Sequence, residues 1–226
     1  LFQLDTLADL GVGSTSTVNI LNKVRGNKQT GPFGETLPTA LEVKVTNGGS
    51  GSPLPGLDLT FKVTNSNGSL SSSKGGSGSP VLTPVTTDLN GHAKVFWTLD
   101  PGPNDKNTVE VSGSGLSTVT FTATGKAGTA SKLALSPASS NTSVNQAVAY
   151  QATVQDRFDN PVTNATNAIT FISTDLIGNF IPSASQNAIN GIARVSFTPT
   201  CKSSTTRTIT ASATGLTSAS ASLTVN

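Results

Sequence analysis

The residues able to do acid–base chemistry are few and scattered. His92 is the single histidine of the 226-residue chain, and Glu35, Glu42 and Glu110 are its glutamates. A general base needs a partner and a cleft within hydrogen-bond reach. His92 directly follows the turn glycine Gly91, the glutamates fall in separate predicted elements, and the sequence offers His92 neither partner nor cleft. His92 therefore reads as structural or solvated, and the chain as non-enzymatic. No glycine-rich phosphate loop precedes a helix.

Metal and covalent chemistry are equally sparse. Asp156, Asp159 and Asn160 share one predicted hairpin loop, and hard oxygen ligands there could hold calcium. Turn-forming Asp and Asn account for the same residues without a metal, and no other cofactor is expected. Cys201 is the only cysteine, which rules out an internal disulfide. In its predicted loop after Phe197-Thr198-Pro199-Thr200 it reads as a partly exposed thiol, with an intermolecular disulfide as the alternative. Lys44 and Lys62 alternate with core positions and should point outward, so a Lys–Asn isopeptide cross-link is not expected.

These residues must be positioned by strands. Leu41, Val43 and Val45 alternate with Glu42 and Lys44, and Leu57, Leu59, Phe61 and Val63 with Asp58, Thr60 and Lys62. Val148, Tyr150, Ala152 and Val154 repeat the pattern, as do Val119, Phe121 and Ala123. Period-two patterning of this density marks half-buried strands, and helical periodicity is absent. Gly48–Ser52 and Ser69–Ser79 read as exposed Gly/Ser-rich loops.

The strands come in two copies. Asn90-Gly91-His92-Ala93-Lys94-Val95 recurs as Asn190-Gly191-Ile192-Ala193-Arg194-Val195, and Gly115-Leu116-Ser117 as Gly215-Leu216-Thr217. Asn-Gly at both places suits a tight hairpin turn with positive φ at both residues. Each copy runs to roughly 95–110 residues, the size of an immunoglobulin-type sandwich. The expected fold is all-β, two tandem immunoglobulin-like antiparallel β-sandwich domains. An apolar segment spans 1–15, the first sandwich 16–127 and the second 128–226, with a short joint near 125–130.

Two features stand apart from the repeat. Aligning Val95-Phe96-Trp97 with Val195-Ser196-Phe197 puts Val95 and Trp97 inward and leaves Phe96 on the outer face, where the second copy has Ser196. An outward aromatic on one copy is a candidate contact, and a scattered exposed apolar residue is its plainer reading. Leu1, Phe2, Leu4, Leu7 and Leu10 make the first segment the most apolar stretch for its length. It must pack on its own domain, meet another subunit or join an upstream domain.

Composition narrows the function classes. Net charge is +2, with no Lys/Arg cluster and no interleaved aromatics, which leaves nucleic-acid binding without an electrostatic footprint. An anionic membrane surface is equally unsupported, and no apolar run approaches the roughly 18–20 residues of a membrane span. A chain that begins at Leu1 without a basic n-region is expected to be an exported protein after signal-peptide removal, or an excised piece.

Both copies resemble bacterial Ig-like domains of the invasin and intimin type, which recur as tandem arrays in adhesins and other surface proteins. In the first copy the resemblance lies in Gly26-Asn27-Lys28-Gln29-Thr30-Gly31, Leu37-Pro38, Pro55-Gly56, Thr87-Asp88-Leu89-Asn90-Gly91 and Val119-Thr120-Phe121-Thr122-Ala123-Thr124-Gly125. In the second it lies in Ala130-Ser131-Lys132-Leu133, Val154-Gln155-Asp156, Asn160-Pro161-Val162 and Ala213-Thr214-Gly215-Leu216-Thr217. It covers residues 16–226 and rests on turn and core residues, which specify fold more than function. The usual acidic turn of the first copy is replaced by Asn47-Gly48-Gly49-Ser50-Gly51-Ser52, which weakens a metal site there.

The resemblance implies an extracellular or cell-surface structural or adhesive protein, a module of an adhesin or stalk that meets a host or surface ligand. One alternative is a subunit of a filament or surface layer that polymerises with copies of itself or other subunits through residues 1–15. A second is an accessory carbohydrate-binding module. That needs an exposed aromatic platform, and Trp97 and Tyr150 are both predicted inward.

Overall fold

Alternating Val, Leu, Phe and Thr residues force the backbone into strands whose apolar sides must be covered by a second sheet. The computed structural model describes residues 18–103, 106–174 and 177–226, without the side chains of 203–205. Leu1, Phe2, Leu4, Leu7 and Leu10 lie outside the described residues. The described chain forms strands and no helix. In the first repeat these are β1 (Ile20–Arg25), β2 (Gln29–Pro32), β3 (Leu41–Thr46), β4 (Asp58–Val63), β5 (Ser69–Ser71), β6 (Val81–Thr86), β7 (His92–Thr98), β8 (Lys106–Gly113) and β9 (Val119–Lys126). In the second they are β10 (Lys132–Ser136), β11 (Ser139–Thr142), β12 (Val148–Gln155), β13 (Ala168–Ser173), β14 (Gly178–Ile181), β15 (Ser185–Asn187), β16 (Ile192–Pro199), β17 (Ser203–Ser212) and β18 (Ala219–Val225).

The repeat is exact in topology. A four-stranded sheet β1-β3-β7-β5 faces a five-stranded sheet β2-β9-β8-β4-β6, and β10-β12-β16-β14 faces β11-β18-β17-β13-β15 in the same order. All pairings are antiparallel except β2 with β9 and β11 with β18. The chain is thus a pair of tandem Ig-like β-sandwiches.

Each sandwich closes on its own core. Leu41, Phe61, Val95, Trp97 and Phe121 are completely buried in the first, and Leu223, Ile169, Phe171 and Ile209 in the second. Each such large side chain contributes roughly 1.5–3 kcal/mol by leaving water. Tyr150 is also a core residue, and its hydroxyl shares a 2.8 Å hydrogen bond with Ser140 that links the two sheets of the second sandwich. Burial raises the Tyr150 pKa, and the Ser140 hydrogen bond opposes that only in part.

Two local expectations fail for identifiable reasons. Residues 69–79 are not all loop: Ser69–Ser71 form β5, register against Phe96–Thr98, and bury Leu70 completely. Glycine and serine around it hid a three-residue strand. The two Asn-Gly turns also differ. In the second copy Asn190 (φ 52°) and Gly191 (φ 75°) are both left-handed. Ile189 and Ile192 exchange backbone hydrogen bonds around them, at 2.9 and 3.1 Å. In the first copy only Gly91 has positive φ, because Asp88 builds a different turn. Its Oδ1 accepts the amides of Asn90 and His92 at 2.8 and 2.9 Å. The His92 amide is the main influence holding this carboxyl below its ordinary range.

Candidate functional site

A dense polar arrangement lies where the sandwiches meet. Residues 127–131 join β9 to β10. Loop 156–160, between β12 and β13, turns back toward them and toward the first sandwich. Asp156 and Asn160 are only 1% and 2% exposed. Asp156 Oδ2 accepts the amide of Gly128 in the linker at 2.9 Å. Its Oδ1 accepts the amides of Phe158 and Asn160 at 2.9 and 3.0 Å. Burial pushes the Asp156 carboxyl up, but the N–H donors of Gly128, Asn160 and Phe158 outweigh it and hold the group below the ordinary carboxylate range.

Asn160 carries the arrangement across the joint. Its side-chain amide donates to the Pro101 carbonyl of the first sandwich at 2.9 Å. Pro101 follows β7 in a turn fixed by Asp100, whose carboxylate accepts the amides of Gly102 at 2.8 Å and Asn67 at 2.7 Å. Phe158 lies on Gly34, where a Cβ would come within 2.3 Å of the ring. With φ +68° at Gly34, both space and backbone call for glycine. The Arg157 guanidinium lies 4.6 Å from the Phe158 ring centroid and 3.6 Å from Glu35. That ion pair is exposed and worth only about 0–1 kcal/mol.

The calcium candidates therefore do not converge. Asp156 and Asn160 touch, but N–H donors take up the carboxylate oxygens a cation would need. Asp159 points away and pairs with Lys132 at 2.7 Å. Among the described residues no group of three or more His, Cys, Asp or Glu could hold a metal ion.

A second cluster gives His92 the partner that the sequence does not show. Its Nδ1 lies 2.6 Å from Glu42 Oε1, and Arg25 Nε donates to Glu42 Oε2. Glu42 occupies an outward register position, yet it is only 6% exposed under those two partners. Burial raises the Glu42 pKa, and the hydrogen bonds from His92 and Arg25 more than reverse it. Lys44 pairs with His92 and Glu42 with Lys94 across β3 and β7. Glu42 and His92 are thus diagonal neighbours, a contact visible only once register is known. The cluster clamps β1, β3 and β7 beside the irregularity between Lys23 and Arg25. Arg25, Glu42, His92 and Thr86 line one recess of about 250 Å³, and Thr86 donates its hydroxyl to Asp58 at 2.7 Å.

The remaining candidates are placed as follows. Phe96 is half-buried on the outer face of β7, Lys62 is exposed and Lys44 half-buried. Cys201 is partly exposed, and the Arg207 guanidinium donates to its Sγ at 3.1 Å. Sequence reasoning missed Phe158, Gly34 and Pro101. Their partnership depends on how two loops far apart in sequence come together, and no local spacing announces it.

No family model and no curated protein matches the sequence. Among solved structures, the chain is similar to the D00-D0 domain of intimin at 17% identity and TM-score 0.44, covering 91% of this chain and 99% of that one. It is similar to the Yersinia pseudotuberculosis adhesin InvE at 15% identity and TM-score 0.37, covering 93% and 58%. It is similar to a β-glycosidase from Bacteroides vulgatus at 13% identity and TM-score 0.42, covering 92% of this chain and 25% of that one. The chain thus spans a quarter of the enzyme's length. At these scores the similarities carry no functional information.

Proposed function

We propose that this chain is a non-enzymatic structural module of an extracellular bacterial surface protein, a pair of sandwiches that holds a binding surface away from its anchor. The observation that carries this reading is the pinned joint. A spacer must transmit position and load from one domain to the next. A buried carboxylate that grips the linker, a side-chain amide that reaches the preceding domain and an aromatic ring seated on a glycine are parts suited to that task. A carbohydrate-binding role would need an exposed Trp or Tyr platform. Trp97 and Tyr150, the single residues of each type, lie in the cores.

Spin labels on one surface position of each sandwich test this by electron–electron distance measurement. A narrow distance distribution is expected in the full chain, broadened by Asp156→Ala while the circular dichroism of the folded sandwiches is retained. A broad distribution in the unsubstituted chain would remove the basis for a spacer.

A further inference from the structure

The repeats differ on a face their topology makes equivalent. The outer face of β7 carries half-buried Phe96, and its counterpart on β16 is Ser196. Over Ser196 the outer face of the second sandwich is hollowed into an open groove of about 520 Å³. Its floor is Ala149, Gln151 and Ser196, and Pro137, Ile181 and Pro182 wall it. Ile181 is 59% exposed. Arg194 lines the groove and also an adjoining recess of about 380 Å³ beside Ile189, which is 74% exposed. Among the described residues no carboxylate pairs with Arg194. The face is an apolar-walled track with one unneutralised cation along it, and it fits a ligand that is apolar and acidic together.

The chain itself contains such a ligand. Residues 1–10 read Leu-Phe-Gln-Leu-Asp-Thr-Leu-Ala-Asp-Leu, and Asp5 and Asp9 are the only charged side chains of residues 1–17. A copy's own groove is out of reach for residues 1–10 docked along their whole length. Ile20 pairs with Thr46, and the Val18 carbonyl lies over Gly48. This is the end of the first sandwich opposite the joint. Residues 11–17 extend at most about 25 Å. An eight-residue strand such as β9, running toward the joint, already covers about 27 Å. The groove lies beyond that, on the second sandwich.

We propose that residues 1–10 of one copy dock in the β16 groove of a second copy, with Asp5 or Asp9 pairing with Arg194 and the leucine and phenylalanine side chains covering Ile181 and Pro182. Donor segment and acceptor groove are different surfaces on different sandwiches, so the contact is heterologous. Repeated, it grows a filament unless the rotation closes a ring. The proposal goes beyond the spacer reading, and the rigidity of the joint does not decide it.

Sedimentation of the full chain over a range of concentrations tests it, with thermal melts confirming that each variant is folded. Concentration-dependent association is expected. Arg194→Glu should weaken it at least ~10-fold, because it sets like charges against each other, and the double variant Asp5→Lys/Asp9→Lys should do the same. Mixing the two weakened variants should restore association, since each supplies the complementary charge to the other. A chain that stays monomeric at its highest soluble concentration overturns the proposal. So does association that Arg194→Glu leaves unchanged, or a mixture that fails to recover. Interdomain distances in the Arg194→Glu variant should match the unsubstituted chain, which separates this outcome from a failure of the spacer reading.

Discussion

Asn160 Nδ2 lies 2.9 Å from the Pro101 carbonyl and 3.1 and 3.2 Å from the two carboxylate oxygens of Asp156. One side-chain amide therefore bridges the domains and at the same time satisfies the buried acid that grips the linker. An amide has two N–H donors, so three acceptors share them. No smaller polar side chain at this position could reach both partners.

Asn160→Ala should cost about 1–3 kcal/mol, the range for leaving buried acceptors unsatisfied. Both the Asp156 carboxylate and the Pro101 carbonyl lose a donor. Asn160→Asp should cost more, since it sets a second carboxylate against a buried one. Urea denaturation followed by circular dichroism reads the order directly. If Asn160→Asp is as stable as the unsubstituted chain, the bridge contributes nothing.

Acid should loosen the joint. The folded-state pKa of Asp156 is depressed, so its stabilising contribution is complete above the unfolded value near 3.8 and is lost as pH falls through the lower folded value. Glu42 acts with the same sign in the first sandwich, from an unfolded value near 4.5. Melting temperature should therefore be nearly flat from weakly acid to neutral pH and fall below the ordinary carboxylate range. Asp156→Asn should flatten the part of that fall that belongs to the joint, and Glu42→Gln the part that belongs to the first sandwich. Acid profiles unchanged by both substitutions would contradict the assignment.

Particular residues show how far the sequence could be read. The alternation at Leu41–Val45 and Val148–Val154 identifies strands, because burial on one face repeats every second residue whatever the partner strand is. The offset between Asn90-Gly91 and Asn190-Gly191 reveals the duplicated sandwich, because turns need particular residues. Glu42 shows the limit of the method. Alternation places it on the outer face, which is correct, but outward does not mean solvated when Arg25 and His92 close over it. Loop 156–160 shows a different limit. Asp156, Asp159 and Asn160 suggest oxygen ligands by composition. Their hydrogen-bond directions, and the arrival of Gly128 and Pro101, depend on tertiary docking that no local pattern encodes. Leu70 was hidden because β5 has three residues, too few to display a period.

Trp97 offers a test of packing against polarity in the first core. The residue is completely buried, and its Nε1 has no hydrogen-bond partner among the described residues. A buried unmade hydrogen bond costs about 1–3 kcal/mol, so the indole brings packing area at the expense of an orphaned donor. The second repeat uses Phe197 at the counterpart position, with the Phe180 ring 4.8 Å away. In the first repeat the residue registered against Trp97 is Leu70, so the larger ring on β7 faces the smaller side chain on β5. Trp97→Phe loses volume but also removes the orphaned N–H. The two effects oppose each other, and the net change should stay within about 1.5 kcal/mol. Trp97→Ala removes packing without repacking and should cost about 3–5 kcal/mol. Circular dichroism must follow the unfolding, because Trp97 is the only tryptophan and its fluorescence leaves with it. A phenylalanine variant as unstable as the alanine variant would mean that the indole N–H is satisfied in solution and that shape alone does not explain the choice of tryptophan.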